Sequence, residues 1–144
     1  MRRSAAVESA PLDLQALLDL VPFAATLGIE LLEASPELVR ARVEWTHERT
    51  TAADVMHGGV IMGLADTCGG IGAFLNLPDG AQGTATIESK TNFLRAVRSG
   101  SITATTRPLH KGRTLMVLET EVARDDGKLI AKVTQTQIFH YGEP

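Results

Sequence analysis

A single carboxylate stands in an otherwise uncharged stretch near the middle of the chain. Asp66 is the only charged residue between Gly58 and Leu77. An ionised carboxylate in an apolar segment is costly unless it has a partner or a task, and a carboxylate can act as a general base or as a nucleophile. Asp66 is therefore the candidate catalytic residue. The alternative is an aspartate that faces a water-filled crevice or binds the backbone of a neighbouring chain.

Two glycines stand where the same uncharged stretch begins, in the sequence His57-Gly58-Gly59. We expect a helix over residues 58–75, and the first N–H groups of a helix have no acceptor within it. The positive end of the helix dipole lies there as well, and glycine lets a ligand approach the backbone closely. This pattern predicts an oxyanion site for a carbonyl that passes through a tetrahedral intermediate.

The spacing of these two features carries a prediction about assembly. Gly58 and Asp66 are eight residues apart, which places them ~12 Å apart along one helix. Within the same helix they cannot both touch one carbonyl group. A site that uses both must take Gly58 from one chain and Asp66 from another, so we expect a homodimer with helices side by side about a two-fold axis.

The elements that position these residues follow from hydrophobic spacing. Leucines at helical spacing predict a short helix over residues 12–20, and residues 47–56 form a polar loop. Period-two alternation predicts six strands, over residues 29–33, 37–46, 84–94, 101–109, 114–124 and 128–140. The fold class is therefore α+β: an antiparallel sheet, its last four strands in a meander, wrapped around the long central helix.

Composition limits the class of protein. A chain of 144 residues is enough for one domain, and we expect an N-terminal arm and short helix over residues 1–24 before a single domain over residues 25–144. The net charge of −3 argues against a nucleic-acid partner. No run of ~20 apolar residues predicts a membrane span, the four histidines show no metal-binding spacing, and the cytoplasm is the expected location. Cys68, the single cysteine, is expected to be buried and structural.

Two motifs resemble those of a known family. His57-Gly58-Gly59 followed by Leu64-Ala65-Asp66-Thr67 resembles the HGG…ADT signature of hotdog-fold acyl-CoA thioesterases, in the PaaI-type branch near the 4-hydroxybenzoyl-CoA thioesterases. The resemblance covers about residues 25–140. It implies a hotdog fold, hydrolysis of an aryl- or medium-chain acyl-CoA thioester, and no cofactor apart from the CoA moiety of the substrate. It also implies a homodimer at least, and a homotetramer is common in the family.

The resemblance assigns roles near the thioester. The N–H of Gly58 would polarise the carbonyl, and Asp66 of the partner chain would be general base or nucleophile. His57 would shape the helix entrance, and Thr86 would orient the water. Each of these last two has a plain alternative, a loop histidine bonded to the backbone and an ordinary strand threonine.

The resemblance also assigns substrate contacts. Gly59 and Thr51 would contact the substrate, although relatives often carry Asn where this chain has Thr51. Arg95 and the hairpin residues Lys111 and Arg113 would bind the CoA phosphates, because charge-assisted bonds to phosphate favour such side chains. The alternative is that these are solvated charges at strand ends.

Two other functions are weighed against hydrolysis. A hotdog hydratase or dehydratase would need a catalytic histidine paired with a carboxylate, and the predicted central helix contains no histidine. A non-catalytic acyl-CoA-binding module would have no need for a charged residue in an apolar helix. The sequence leaves the preferred acyl group open.

Overall fold

The computed structural model of the chain describes residues 10–142, and it begins with two short helices. Residues 1–9 of the predicted N-terminal arm lie outside the described residues. The predicted first helix is confirmed as α1, Leu14–Asp19, whose N-cap Asp13 accepts backbone N–H bonds. No element was predicted for the connection that follows, and it contains α2, Pro22–Leu27, which has Pro at its first position and ends at Gly28 with φ 69°.

The predicted central helix is confirmed as α3, Gly58–Phe74. It is the longest described helix, with 17 residues, and none of the described helices has the length and apolar character needed to cross a membrane. Two 3-10 turns, His47–Arg49 and Ala52–Asp54, lie in the predicted polar loop before it.

All six predicted strands are confirmed, with ends shifted by a few residues. They form one antiparallel sheet in the order β1-β2-β4-β5-β6-β3. The strands are β1 Glu30–Ala34, β2 Val39–Glu44, β3 Gly83–Phe93, β4 Ser101–Lys111, β5 Leu115–Arg124 and β6 Leu129–His140. The expected four-strand meander is wrong for β3, which pairs with β6 at the far edge of the sheet, while β4 pairs with β2. Helix α3 crosses the sheet and connects β2 to β3 at the far edge.

One face of the sheet packs on α3, as the predicted fold requires. Leu64 and Cys68 of the helix are fully buried in one core cluster with Val43 of β2 and Ile102 of β4. Within one protomer the single sheet covers only one side of the helix. An exposed row at four-residue spacing remains on α3 and consists of Met62, Asp66, the half-buried Gly70 and Phe74.

The edge strand β3 is long and poorly covered. Within residues 10–142 its only strand partner is β6. Ile87 on this strand is 58% exposed, and Phe93 at its end is 52% exposed. A long edge strand with exposed apolar side chains is a surface that pairs readily with another chain.

The glycines of α3 allow a matched test of this packing. A Cβ at Gly70 would meet no atom within 4 Å, whereas a Cβ at Gly72 would lie 3.0 Å from Leu118 Cδ2. For the protomer alone we expect Gly70→Ala to raise the free energy of unfolding by up to about 1 kcal/mol through helix propensity. We expect a smaller gain or a loss from Gly72→Ala, because Leu118 must move. Urea unfolding measures both, and an equal gain in the two variants would contradict the packing described.

Candidate active site

The carboxylate of Asp66 is held by donors from the two strands beneath α3. Its Oδ1 accepts a hydrogen bond of 2.8 Å from Thr86 Oγ1 on β3, and a second one from Gln135 Nε2 on β6. No donor to Oδ2 is found among residues 10–142. One oxygen is therefore fixed by the protein, and the other is free to act on a ligand.

Gln135 lies in the core, between strand and helix. The side chain is 1% exposed, and its Nε2 also donates to Thr86 Oγ1 at 3.0 Å. Its Oε1 is buried and has no hydrogen-bond partner in the described part of the chain. A buried acceptor without a partner costs about 1–3 kcal/mol. Rotating the amide would instead set Oε1 against the Asp66 carboxylate, so the observed orientation is the one that Asp66 requires.

The hydroxyl of Thr86 is fully used in this network. It donates to Asp66 and accepts from Gln135 and from Gln137 Nε2, the latter at 2.6 Å. Gln137 Oε1 in turn accepts from Thr84 Oγ1 at 3.0 Å. A hydroxyl has one donor and two acceptor sites, and here all three are occupied. In the protomer Thr86 thus fixes Asp66, and its predicted role in orienting water stays a prediction.

Gly69 permits the close approach of α3 to β6. A Cβ at this position would lie 1.8 Å from Gln135 Oε1, so any side chain there would displace the amide. The register of β3 also shifts between Thr86 and Glu88, which marks a β-bulge immediately after the threonine. Bulges beside functional sites re-aim neighbouring side chains.

Sequence reasoning missed Gln135 and Gln137. Both occupy buried positions of β6 in a period-two row that starts at Val133 and ends at Phe139. Amides at two successive core positions of an otherwise apolar row are a signal for a buried polar network. This signal predicts a polar network at the site only once it is known which side of β6 faces the helix.

His57 forms the N-cap of α3. Its Nδ1 accepts a hydrogen bond of 2.8 Å from Gly59 N–H, and its carbonyl accepts from Val60 N–H. The N–H of Gly58 has no acceptor within residues 10–142. The helix start therefore carries one free donor at its positive end, as an oxyanion site requires.

A cavity of about 440 Å³ opens at this helix start. Thr51, Gly58 and Arg95 all contribute to its wall, with apolar side chains that include Phe93 and Ile61. A larger cavity of about 670 Å³ adjoins it and shares Arg95 and Ala96. Three of the predicted site residues thus lie together around the helix start.

Lys111 and Arg113 lie elsewhere in the protomer. They line a separate cavity with Leu77, Pro78 and Asp79, which follow the C-terminal end of α3. The 17 residues of the helix rise by about 25 Å from one end to the other. In one chain these two residues therefore cannot serve the same ligand as Gly58 at short range.

A fourth cavity lies on the exposed side of α3, and Asp66 is not among its lining residues. It has a volume of about 380 Å³ and a mostly apolar lining. Gly70, one helical turn beyond Asp66, and Thr84, two residues before Thr86, both belong to its wall. The other lining residues are Leu17, Leu20, Val21, Ile71, Phe74 and Gly83. The predicted residues thus fall into separate groups in the protomer, and Asp66 does not share a cavity with Gly58.

Two further classes of chemistry were tested against the structure. Cys68 is buried, as expected, and loss of solvation raises the pKa of its thiol to about 12, so it carries no thiolate at neutral pH. Among the described residues, no group of three or more His, Cys, Asp and Glu side chains is placed to hold a metal ion.

Comparison with known proteins defines the class. The model of the thioesterase superfamily (4HBT) matches residues 53–131, more than half of the chain. The sheet order and the central helix match the hotdog fold of that superfamily. The chain belongs to the thioesterase superfamily and is a thioester hydrolase.

Individual relatives agree with this assignment. A Saccharolobus solfataricus protein named as a candidate esterase is 35% identical over 106 residues, 74% of each chain. The solved structure of the thioesterase HI1161 from Haemophilus influenzae is 28% identical and superposes with a TM-score of 0.84, covering 92% of this chain and 93% of that one. The PaaI protein of Escherichia coli, from the phenylacetic acid degradation operon, is 20% identical, with a TM-score of 0.79 over 89% of this chain and 91% of that one, and it supports the fold alone.

Proposed function

We propose that the protein hydrolyses acyl-CoA thioesters with an aryl or medium-chain acyl group. One observation carries the proposal: Asp66 stands on the exposed side of α3 with one carboxylate oxygen fixed and the other free. A carboxylate held in this way can activate water or attack the thioester itself.

The proposed active site is shared by two chains. Gly58 and Asp66 belong to one continuous helix, so ~12 Å of helix separates them. The exposed row on α3 and the free edge of β3 offer a second copy both a helix face and a strand to pair with. We therefore place Gly58 of one subunit opposite Asp66 of the other in a homodimer, which is the smallest active unit. Association of two dimers into a homotetramer would cover further exposed surface.

The proposed reaction uses the Asp66 carboxylate for the attack and the Gly58 N–H for the intermediate that follows. The thioester carbonyl carbon is attacked either by a water whose proton passes to Asp66 or by the Asp66 carboxylate. The N–H of Gly58 donates to the oxyanion that forms. The C–S bond then breaks, and CoA leaves as the thiolate. In the second route water hydrolyses the resulting anhydride and regenerates Asp66.

Arg95 is the proposed partner of the CoA phosphates. It lies between the cavity at the helix start and the larger cavity that also contains Arg98. Its guanidinium donates to the Leu129 carbonyl at 2.7 Å, and no carboxylate within the described residues forms an ion pair with it. The charge is thus available to an anion. Lys111 and Arg113 remain candidates through the partner subunit.

The acyl group is proposed to enter the apolar cavity beside Asp66. Its volume of about 380 Å³ and apolar wall suit a ring or a chain of moderate length. A hydratase is less well supported, because no histidine is bonded to Asp66 among residues 10–142. A binding module would gain nothing from a carboxylate held with a free oxygen.

The first test is release of free thiol from a panel of aryl- and fatty-acyl-CoAs. We expect turnover by the natural protein and a loss of at least about 10²-fold in kcat for Asp66→Asn, because the amide cannot accept a proton or attack. Cys68 is buried and should add no background to a thiol reagent. Equal turnover by the two folded proteins would exclude the proposed role of Asp66.

The second test asks whether Arg95 binds the CoA phosphates. We expect Arg95→Ala to raise KM for an acyl-CoA by about 10-fold and to leave KM for the corresponding acyl-N-acetylcysteamine, which has no phosphates, unchanged. Arg113→Ala tests the alternative phosphate site at the other end of α3 and should affect KM less. A loss confined to Arg113→Ala would move the phosphate site to the other end, and an equal loss on both substrates would exclude phosphate binding by Arg95.

A further inference from the structure

Gln135 differs from the other buried side chains of the site, because its orientation leaves one of its own polar atoms without a hydrogen-bond partner. Its two N–H donors are directed to Asp66 Oδ1 and Thr86 Oγ1, while its Oε1 is buried without a partner in the described chain. Buried acceptors of this kind are rare in folded proteins and call for an explanation. A side chain chosen for packing alone would be apolar at this position, like Val133 on the same row of β6.

We infer that Gln135 is a positioning residue for hydrolysis, which fixes Asp66 through Oδ1 so that Oδ2 alone is presented to the substrate. The inference rests on the proposed role of Asp66. An aspartate side chain on an exposed helix face would otherwise sample several rotamers. Two donors on one oxygen select one of them, and catalysis depends on such fixed geometry.

Residues of both α3 and β6 support this orientation of Gln135 and Asp66. Gly69 leaves the space that Gln135 Oε1 occupies, so the helix itself is adapted to this amide. Gln137 Nε2 donates to Thr86 Oγ1 at 2.6 Å, which directs the only proton of that hydroxyl to Asp66. Asp66 therefore receives two donors whose directions are both set by buried amides.

The test is Gln135→Leu, which removes both the donors and the unpartnered oxygen. We expect kcat to fall by about 10–100-fold with little change in KM, because alignment is lost and binding is kept. We expect the thermal midpoint to stay equal to that of the natural protein or to rise, because the unpartnered oxygen is gone. A residue that only supports the fold would show a lower midpoint and an unchanged kcat.

Gln135→Glu supplies a second readout. A protonated carboxyl has one O–H donor that can replace an amide N–H toward Asp66, whereas the ionised form repels it. The activity of this variant relative to the natural protein should therefore rise as the pH is lowered, and a ratio independent of pH would contradict the inference.

A crystal structure of Gln135→Leu decides the positioning role independently of turnover. We expect Asp66 to leave its single conformation, and an unmoved carboxylate would overturn the inference. Failure of the proposed function is distinguishable, because it would show as absence of thiol release by the natural protein.

Discussion

A charged carboxylate at the surface of an apolar helix needs hydrogen-bond donors that fix its position. The packing of α3 on the sheet depends on how these donors reach Asp66. Asp66 receives its donors from β3 and β6, the two strands that lie under the helix at one edge of the sheet. The pairing of β3 with β6 brings Thr86 opposite Gln137. The topology therefore assembles the network, because no local segment of the chain contains more than two of its members.

The same interaction limits what the neighbouring residues can be. Gly69 must lack a side chain, since a Cβ would overlap the amide of Gln135. The unpartnered oxygen of that amide destabilises the fold by about 1–3 kcal/mol. Natural proteins tolerate such losses where function requires them. Stability and catalysis thus favour different side chains at position 135.

The sequence was sufficient for the local elements and for part of the site. Period-two alternation predicted every strand, and the uncharged stretch with Asp66 predicted the central helix. The place of β3 in the sheet could not be predicted, because strand pairing depends on contacts far apart in the chain. Gln135 was missed for the same reason: only the finished sheet shows that its side chain faces the helix. The start of α2 was in principle readable from Pro22, and its end from Gly28.

The proposed use of Gly58 and Asp66 in one site requires a second copy of the chain. Gly58, whose N–H has no acceptor within residues 10–142, lines a cavity at the start of α3. Asp66 lies two helical turns further along, one turn before Gly70 in the wall of an apolar cavity. A two-fold axis that sets two such helices side by side brings the donor of one chain to the carboxylate of the other. The exposed row of α3 and the edge of β3 are the surfaces that such an axis would bury.

Subunit complementation tests this central claim most directly. Gly58→Pro removes the proposed oxyanion donor at the first position of a helix, where proline is well accepted, and His57 already has ψ 133°, as a residue before proline requires. Gly58→Ala, which keeps the N–H, is the matched control. Each of Gly58→Pro and Asp66→Asn alone should be nearly inactive.

Dissociated and reassociated together, the two inactive proteins form mixed dimers in which one of the two sites has both its Gly58 N–H and its Asp66. The account predicts that thiol release returns to about a quarter of the natural level, since half of the dimers are mixed and half of their sites are intact. A mixture that exchanges subunits and stays as inactive as its parents would show that each site is built within one chain, and would contradict the account.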